Sequence, residues 1–272
     1  MALGGGISSR PVSGIYLYCI VRGSRKPSLA RVPGGLGGGT SPELLPLSSS
    51  MWLVVAEVPL DTYGAGQLEP RLADLEWVGQ VALAHEEVVE YFARKPRLAV
   101  IPMKLFTMFS SRERALADVG ANQGGITSMM RRIAGAQEWG IRVTQTSDGA
   151  TRSRVSRPHP ASGAAFLAAK KQVRDSAQQA KAKAADSALA AYRKLARLAR
   201  ESRLRNDAPA SAARRPLLDA AFLVPSTARL RFTQAAKRQA AACAKAGAQM
   251  VVSGPWPAYN FVDRRDRTDE AS

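Results

Sequence analysis

The sequence predicts an α+β or α/β fold with two small mixed sheets covered by helices. Short apolar segments of strand length alternate with amphipathic helical segments in both halves of the chain. Hydrophobic residues make up 46% of the chain, which is enough to form real cores. The length of 272 residues fits one large or two modest domains, and we place a domain boundary near residue 145.

The N-terminal domain, residues 1–145, is predicted to combine strands with several helices. Its strands are short, apolar and rich in β-branched or aromatic residues, and we expect them at 14–21, 52–58, 97–106 and 138–144. Residues 70–93 predict the main helix, because apolar side chains recur there every three or four positions. Two shorter helices are expected, one after a serine cap at residues 110–119 and one at residues 122–134.

A glycine-rich insertion separates the first two predicted strands. Residues 23–50 are polar and rich in Gly and Pro, which predicts a loop or a flexible insertion. The glycine run at residues 34–39 lacks the Lys-Ser/Thr of a phosphate-binding loop, so it does not indicate nucleotide binding. Pro102 lies inside the third strand, which indicates an edge strand or a bulge.

The C-terminal domain, residues 146–262, is predicted to be an α+β unit around one long helix. Residues 163–204 predict that helix, because they are rich in Ala, the best helix former. Its larger apolar residues form a narrow seam near heptad spacing, which suits close packing on another helix. The remaining elements are a strand at 216–224, a helix at 225–246, a strand at 248–254 and a charged tail at 263–272.

The chain is strongly basic, with 39 Lys and Arg against 22 Asp and Glu and a net charge of +17. Such a charge favours an acidic protein, a nucleic acid or an anionic membrane as partner. Residues 142–215 hold 17 basic and 5 acidic residues, so most of the excess lies on the long helix and around it. Aromatic residues are not interleaved with these charges, which favours a solvated or acid-binding helix face over nucleic-acid binding. The apolar runs are far shorter than the roughly 20 residues of a membrane span.

The sequence indicates no catalytic or metal site. His85 and His159 are the only histidines, and no CxxC pair is present. The His85-Glu86-Glu87 run is not the zinc motif HExxH, because Val89 occupies the position of the second histidine. No serine stands in a GxSxG motif. We therefore predict a protein that is not an enzyme and uses neither metal nor cofactor.

The cysteines and the first histidine are predicted to be packing residues. Cys19 and Cys243 lie far apart in apolar or Ala-rich stretches, which indicates small buried side chains rather than a disulfide framework. His85 falls on the apolar stripe of its helix, which predicts a partly buried histidine. The N-terminus has no basic region followed by an apolar segment, so no secretory signal is predicted and the expected location is the cytoplasm.

Five segments, in their order along the chain, carry a resemblance to a known family. The last of them is the most specific, because two prolines bracket a tryptophan and two further aromatic residues follow. The segments are the first strand with Tyr16 and Tyr18, the helix with His85 and Glu86, residues 100–109, the strand with Trp139 and Gly140, and the closing Gly254, Pro255, Trp256, Pro257, Tyr259 and Phe261. Together they resemble the GvpF/GvpL family of gas vesicle proteins over about residues 14–262.

The chain departs from the family pattern in the central strand. The family usually reads close to Leu-Pro-Leu-Arg-Phe-Gly-Thr-Val-Phe there, whereas Lys104 stands at the arginine and Phe106 at the glycine. A glycine frees the backbone, so the local turn is expected to differ. Lysine keeps the charge of arginine but loses its bidentate fork. The insertion at residues 33–39 and the basic long helix also look atypical of the family.

The resemblance implies a fold and a function. It implies an N-terminal domain that is a modified ferredoxin-like unit and a C-terminal α+β domain with a long helical element. Members of the family are accessory or minor structural proteins, not enzymes, and are needed to assemble gas vesicles. The implied partners are the hydrophobic shell protein GvpA and other accessory Gvp proteins, and the implied location is the gas vesicle or its assembly site. A basic module associated with nucleic acid stays open as the alternative.

Six residues are the predicted contacts to such a partner. They belong to the sheet edge near the internal proline and to the closing aromatic segment: Ile101, Pro102, Phe106, Trp256, Tyr259 and Phe261. Aromatic side chains bury large areas at low cost in conformational entropy. Residues 254–261 have two interpretations, which both stay open: a segment packed across a sheet to close a core, and an aromatic patch for a partner.

Overall fold

The computed structural model describes residues 12–146, 163–205 and 215–262. The chain forms two compact units. The first contains the residues up to Gly135 together with those from Pro257 onward, and the second contains Ala136–Trp256. The second unit is therefore inserted between two parts of the first. This division differs from the expected boundary at residue 145, because strand 136–145 pairs with strands of the second unit.

The first unit is built on a sheet of antiparallel strands. The strands are β1 (Ser13–Arg22), β2 (Glu43–Ser48), β3 (Met51–Pro59), β4 (Ala99–Pro102) and β5 (Met108–Phe109). The order is β2-β3-β1-β4, and β5 also pairs with β1. Strands β1 and β3 lie in the centre and are buried on both faces, as their continuous apolar sequence predicts.

The helices of the first unit cover this sheet. They are α1 (Leu60–Tyr63), α2 (Ala65–Arg71), α3 (Leu75–Ala93), α4 (Arg112–Gly120) and α5 (Gln123–Ile133). The helix predicted at 70–93 is interrupted before residue 75, because the Asp74 carboxylate caps α3 by accepting from the backbone N–H groups of Glu76 and Trp77. Ser111 caps α4, as the sequence predicts.

The second unit is a four-stranded antiparallel sheet with two helices. Its elements are β6 (Ala136–Gln145), α6 (Gly163–Ala196), β7 (Glu201–Leu204), β8 (Leu218–Pro225), α7 (Arg229–Lys245) and β9 (Ala248–Trp256). The strand order is β7-β8-β6-β9. Side chains of β6 and β8, among them Ile141 and Phe222, pack in one core with Leu195 of α6 and Phe232 of α7.

The α+β class with two sheets covered by helices is confirmed, although both sheets are antiparallel rather than mixed. The long helix ends at Ala196 and not at residue 204. Residues 201–204 form β7 instead, because Arg200 donates its backbone N–H to the Leu223 carbonyl and starts a ladder with β8. None of the helices in the part of the chain that the structure describes is long and apolar enough to cross a membrane.

Two further expectations differ in detail. The insertion at residues 23–50 contains β2, and its Leu36 is buried, so this segment is not a plain loop. The third strand is limited to residues 99–102 instead of 97–106. The predicted loops around residues 147–162 and 206–214 and the charged tail at 263–272 lie outside the described residues.

Candidate functional site

The two tyrosines of β1 lie in the core of the first unit. Tyr16 and Tyr18 are two positions apart, both are fully buried, and their ring centroids are 4.8 Å apart. Alternate residues of a strand point to the same face, so both rings lie in the core that includes α3. Burial raises the pKa of Tyr16 and raises that of Tyr18 to about 12. Both phenols therefore stay protonated near neutral pH.

His85 of α3 lies against both rings. Its Nδ1 is 2.9 Å from the Tyr16 hydroxyl, and its ring centroid is 5.7 Å from each tyrosine ring. Burial lowers the pKa of His85 to about 4, opposed by the backbone of Met103. The imidazole is therefore neutral at pH 7. It is buried more fully than the sequence predicts, because it lies beneath the strands as well as on the apolar stripe of α3.

The glycine-rich insertion packs on Tyr18. The backbone N–H of Leu36 donates to the Tyr18 hydroxyl over 3.0 Å, and the Leu36 side chain is buried in the same core. Gly35 has φ +80°, and a Cβ there would lie 2.4 Å from the Tyr18 hydroxyl oxygen. Glycine is therefore required at this position by both conformation and space. The run that could suggest a phosphate loop is a packing element.

Residues 257–262, which we name the closing segment, pack in the first unit. The Tyr259 hydroxyl donates to Oε2 of Glu86 over 2.5 Å, and burial together with this bond raises the pKa of Tyr259. Phe261 is fully buried, and its carbonyl accepts a hydrogen bond from the Arg132 guanidinium. Of the two open interpretations of residues 254–261, these contacts support the closing of a core for the part from Pro257 onward.

Phe106 adopts a backbone conformation that favours glycine. Its φ is +62°, which is uncommon for a bulky residue. Its N–H donates to the Tyr16 hydroxyl over 3.3 Å, and its ring stacks on Trp77 with centroids 5.8 Å apart and an angle of 12°. Phe106 therefore adopts the left-handed conformation although it is not a glycine. Stacking of its ring on Trp77 offsets part of the free energy that this conformation costs.

The motif residues of the first unit thus form one cluster, the Tyr-His-Glu cluster, consisting of Tyr16, Tyr18, His85, Glu86 and Tyr259. Its phenols and imidazole are uncharged near neutral pH. Within the described ranges, no three His, Cys, Asp or Glu side chains stand close enough to hold a metal ion. The cluster offers hydrogen bonds that fix three segments of chain together, and this arrangement is suited to stabilising a core.

Cys19 and Cys243 are both buried free cysteines, as predicted. Burial raises the pKa of the Cys19 thiol, so it stays protonated and is a poor nucleophile.

The predicted partner contacts are distributed unevenly between core and surface. Ile101 and Pro102 are buried in β4, and Phe261 is buried in the closing segment. Their side chains cannot touch a partner while the unit is folded, because sheet pairing and core packing occupy them; this corrects their predicted role. Phe106 and Tyr259 are half-buried by the contacts described above. Trp256, with 41% of its surface exposed, remains accessible.

The other motif residues shape the second unit. Trp139 packs on Phe232 in its core, with ring centroids 5.9 Å apart. Gly140 leaves room for Ser253, because a Cβ there would lie 2.5 Å from the serine Oγ. Gly254 has φ +114°, and its Cβ would lie 2.8 Å from the Glu138 carbonyl oxygen. The Gly254–Pro255 peptide bond is cis. These residues set the approach of β9 to β6 and take no part in the Tyr-His-Glu cluster.

Strand β9 is an edge strand with an apolar exposed surface. It pairs only with β6 in the sheet of the described residues. Val251 is 52% exposed, and Val252 and Trp256 are also exposed. Residues 246–262 contain no Asp, Glu, Lys or Arg, whereas natural proteins commonly place charges on exposed edges. That uncharged stretch is the signal in the sequence that identifies this edge, and neither Val251 nor Val252 is among the six predicted contacts.

The positive charge lies on the second unit. Its described residues hold 18 Lys and Arg against 5 Asp and Glu, a net charge of +13, whereas those of the first unit hold 13 against 11, a net charge of +2. Helices α6 and α7 together carry 12 basic and 2 acidic residues. On the sheet, Asp219 accepts from both Arg142 and Arg205, so its carboxylate offsets cations there. The excess therefore comes from the helices.

The fold and the site define a class of protein, an α+β protein of two units whose most distinctive residues stabilise its core. Its accessible features are the apolar edge strand β9 and the basic helices α6 and α7. Residues 14–263 match the family described as gas vesicle synthesis protein GvpL/GvpF. The chain belongs to this gas vesicle protein family, which is not an enzyme class.

Individual relatives agree with this assignment. The chain is 25% identical over 257 residues to gas vesicle protein L of Streptomyces sp. (strain CB03234), covering 91% of this chain and 92% of that protein. Its fold is similar to the crystal structure of gas vesicle protein GvpF from Anabaena sp. PCC7120, with a TM-score of 0.64, 14% identity and coverage of 92% and 96%. GvpF from Microcystis aeruginosa is also similar, with a TM-score of 0.60, 14% identity and coverage of 92% and 99%.

Proposed function

We propose that this protein assists gas vesicle assembly by binding the hydrophobic shell protein GvpA. Other Gvp proteins are its further partners, and it acts in the cytoplasm at the gas vesicle or its assembly site. The single observation that carries the proposal is the uncharged edge strand β9 with exposed Val251, Val252 and Trp256, in a chain that belongs to a gas vesicle family.

The chemistry of an edge strand suits an apolar partner. The outer N–H and C=O groups of such a strand can pair with an extended segment of another chain. Exposed valines and a tryptophan on the same strand add apolar contact area, at about 25 cal/mol for each Å² removed from water. A shell subunit that must line a gas space is strongly apolar and would aggregate when free. Pairing with β9 would cover part of that surface until the subunit is handed on.

The test is co-purification with co-expressed GvpA, washed at low and at high salt, using edge variants. Val251→Lys places a charge on the edge, and Trp256→Ala removes the largest exposed side chain. We expect each variant to lose most of the retained GvpA at both salt concentrations, because the contact is apolar. Leu230→Lys is the matched control, since Leu230 is an exposed apolar residue of α7 in the same unit.

Thermal unfolding of each variant checks that the second unit stays folded. If folded Val251→Lys and Trp256→Ala proteins retain GvpA as well as Leu230→Lys does, β9 is not the contact surface. If the unaltered protein loses GvpA at high salt, apolar capture by this protein is itself wrong.

A second candidate function, a nucleic-acid-associated module, is favoured by the net charge of +13 on the described part of the second unit. Binding to phosphates weakens steeply as salt rises, because bound counterions are released. A parallel purification with and without nuclease distinguishes this candidate. Nucleic acid recovered at low salt, with GvpA absent, would make the basic helices the functional surface.

A further inference from the structure

Helix α6 extends well beyond the core that it helps to form. It has 34 residues, so it is about 50 Å long. Only its C-terminal part packs on the second unit, where Ala184, Ala188, Ala191 and Leu195 are buried in the core. Residues 164–183, which we name the α6 arm, are exposed, apart from a half-buried Asp175.

The buried stripe of α6 continues along the arm. Counting back from Ala184 in steps of four and three residues gives Ala180, Ala177 and Val173, and Phe166 lies a further seven residues back on the same face. The exposed fractions are 61% for Val173 and 52% for Phe166. The face that packs in the core at one end of the helix is therefore present but uncovered at the other end.

An uncovered arm of this length needs an explanation. Isolated helices are marginally stable in water, and most helical stability in proteins comes from packing of an apolar face. The arm has the alanine content to remain helical, and none of the residues that the structure describes covers its apolar stripe. Large apolar side chains repeated on one face are the usual anchors for a partner helix in a groove or coiled coil.

The charges that flank the stripe specify the partner. When Phe166 and Val173 are taken as d positions of a heptad, three of the six e and g positions between residues 167 and 183 are basic and none is acidic. The basic ones are Arg174, Lys181 and Lys183, and Lys170 lies in the stripe at an a position. Charges at e and g face those of the partner helix and decide which partner binds. A second copy of this arm would set cations against cations. An acidic helix would pair every one of them.

We propose that the α6 arm is a docking helix for an acidic amphipathic helix of another protein. Phosphate groups would also neutralise its cations, but they would gain nothing from Phe166 and Val173, so the apolar stripe favours a helix over a nucleic acid. The inference goes beyond the proposed function, because it uses no residue of β9.

The test uses the full chain and a labelled synthetic peptide of three heptads, with Leu at a and d and Glu at e and g. Binding is measured by fluorescence anisotropy. A second peptide with Lys in place of Glu controls for apolar binding alone. Two double variants alter the arm: Phe166→Ala with Val173→Ala, and Arg174→Glu with Lys181→Glu. Two controls alter α7 instead: Leu230→Ala, and Lys237→Glu with Arg238→Glu, which makes the same change of charge.

We expect the acidic peptide to bind more tightly than the basic one. Each arm variant should weaken the binding of the acidic peptide at least about tenfold, because apolar contact or charge pairing is lost. The α7 controls should change its affinity less than about twofold. The arm variants should still retain GvpA in the co-purification above, which separates this inference from the proposed function. Circular dichroism and thermal unfolding verify that the helix is kept.

Four results would overturn the proposal. The acidic peptide could bind no more tightly than the basic peptide, or equally well to the arm variants. A DNA duplex could bind in place of the peptide, weakened by Arg174→Glu with Lys181→Glu but neither by the α7 charge pair nor by Phe166→Ala with Val173→Ala, which would assign the arm to nucleic acid. Sedimentation could show a dimer that this alanine pair dissociates, which would make a second copy the occupant.

Discussion

The hydroxyl of Tyr259 donates a hydrogen bond to the carboxylate of Glu86, which lies 173 positions earlier in the chain. The bond ties the closing segment to α3 within the first unit. Burial and this hydrogen bond raise the pKa of Tyr259, so the phenol keeps its proton and acts as a donor at all physiological pH values. Tyr259, which the sequence predicts as a contact for a partner, therefore forms a hydrogen bond that stabilises the core.

Replacing Tyr259 with Phe should destabilise the protein by about 1–3 kcal/mol, because a hydrogen bond to a carboxylate is lost while the ring stays. Urea unfolding measures the change. Tyr192→Phe is the control, since the Tyr192 hydroxyl is bonded to the neutral hydroxyl of Ser202 at 3.0 Å. Its cost should be smaller, about 0.5–1.5 kcal/mol. Equal costs for the two variants would contradict the importance assigned to the Tyr259–Glu86 bond.

The stability of the first unit should fall between pH 6.5 and about 4, because folding holds the pKa of His85 at about 4. In that range the unfolded chain binds a proton that the folded one does not, so stability is complete above pH 6.5 and declines as the pH falls. The contribution of His85 is about 3 kcal/mol. Other groups titrate too, so the comparison is with His85→Gln, whose side-chain amide can still hydrogen-bond to the Tyr16 hydroxyl but does not titrate.

Urea unfolding of both proteins at several pH values between 7 and 4 gives the difference. His85→Gln should lose less stability over this range than the unaltered protein. Parallel curves for the two proteins would show that His85 is not buried in its neutral form.

At most positions an alanine variant is more stable than a glycine variant, and at position 106 we expect the opposite. Phe106→Ala loses the ring that stacks on Trp77 and keeps a side chain at φ +62°, whereas Phe106→Gly loses the ring and removes the strain. The glycine variant should therefore be more stable than the alanine variant by about 1 kcal/mol, although both are less stable than the unaltered protein.

The same pair of substitutions at Leu105 provides the comparison, because that residue has no positive φ. There alanine should be the more stable of the two. The melting temperatures of the four variants give the comparison. If the alanine variant is more stable than the glycine variant at both positions, the backbone at Phe106 is not strained.

Gly254→Ala should destabilise the second unit by at least about 2 kcal/mol, because the new Cβ would lie 2.8 Å from the Glu138 carbonyl at φ +114°. Gly124→Ala is the opposite case, since a Cβ there would meet no atom within 4 Å apart from its chain neighbours and the backbone of its own helix, and the site lies in the first turn of α5. That change should stabilise by about 0.5–1 kcal/mol. Calorimetry of the two variants tests both signs, and a tolerated alanine at 254 would refute the close approach of β9 to β6.

Local sequence patterns predicted most of the individual helices and strands, but they did not predict which residues far apart in the chain contact one another. The sequence identified Tyr16, Tyr18, His85, Glu86 and Tyr259 one by one, because each lies in a distinctive segment. It could not show that they form one cluster, since their contacts join strand, helix and chain end across long separations. Periodicity reports which face of an element is apolar and says nothing about what covers that face.

The errors have local physical causes. Strand β2 was missed because Pro46 and the preceding glycines resemble a loop, although an edge strand tolerates a proline. Strand β7 was included in the helix because Arg203 and Leu204 continue its composition, while backbone pairing with β8 decides their conformation. The boundary at residue 145 followed a long loop signal, whereas the chain changes unit at the short turn that ends in Gly135.

The insertion of the second unit fixes an order of events on the ribosome. The closing segment is translated after every residue of the second unit, because it follows Trp256. A nascent chain that has reached residue 256 holds all the strands of both sheets, yet Glu86 still lacks Tyr259 and Arg132 still lacks the carbonyl of Phe261. The unit that begins first is thus completed last. A chain that ends at Trp256 would therefore leave the core of the first unit without these two hydrogen bonds.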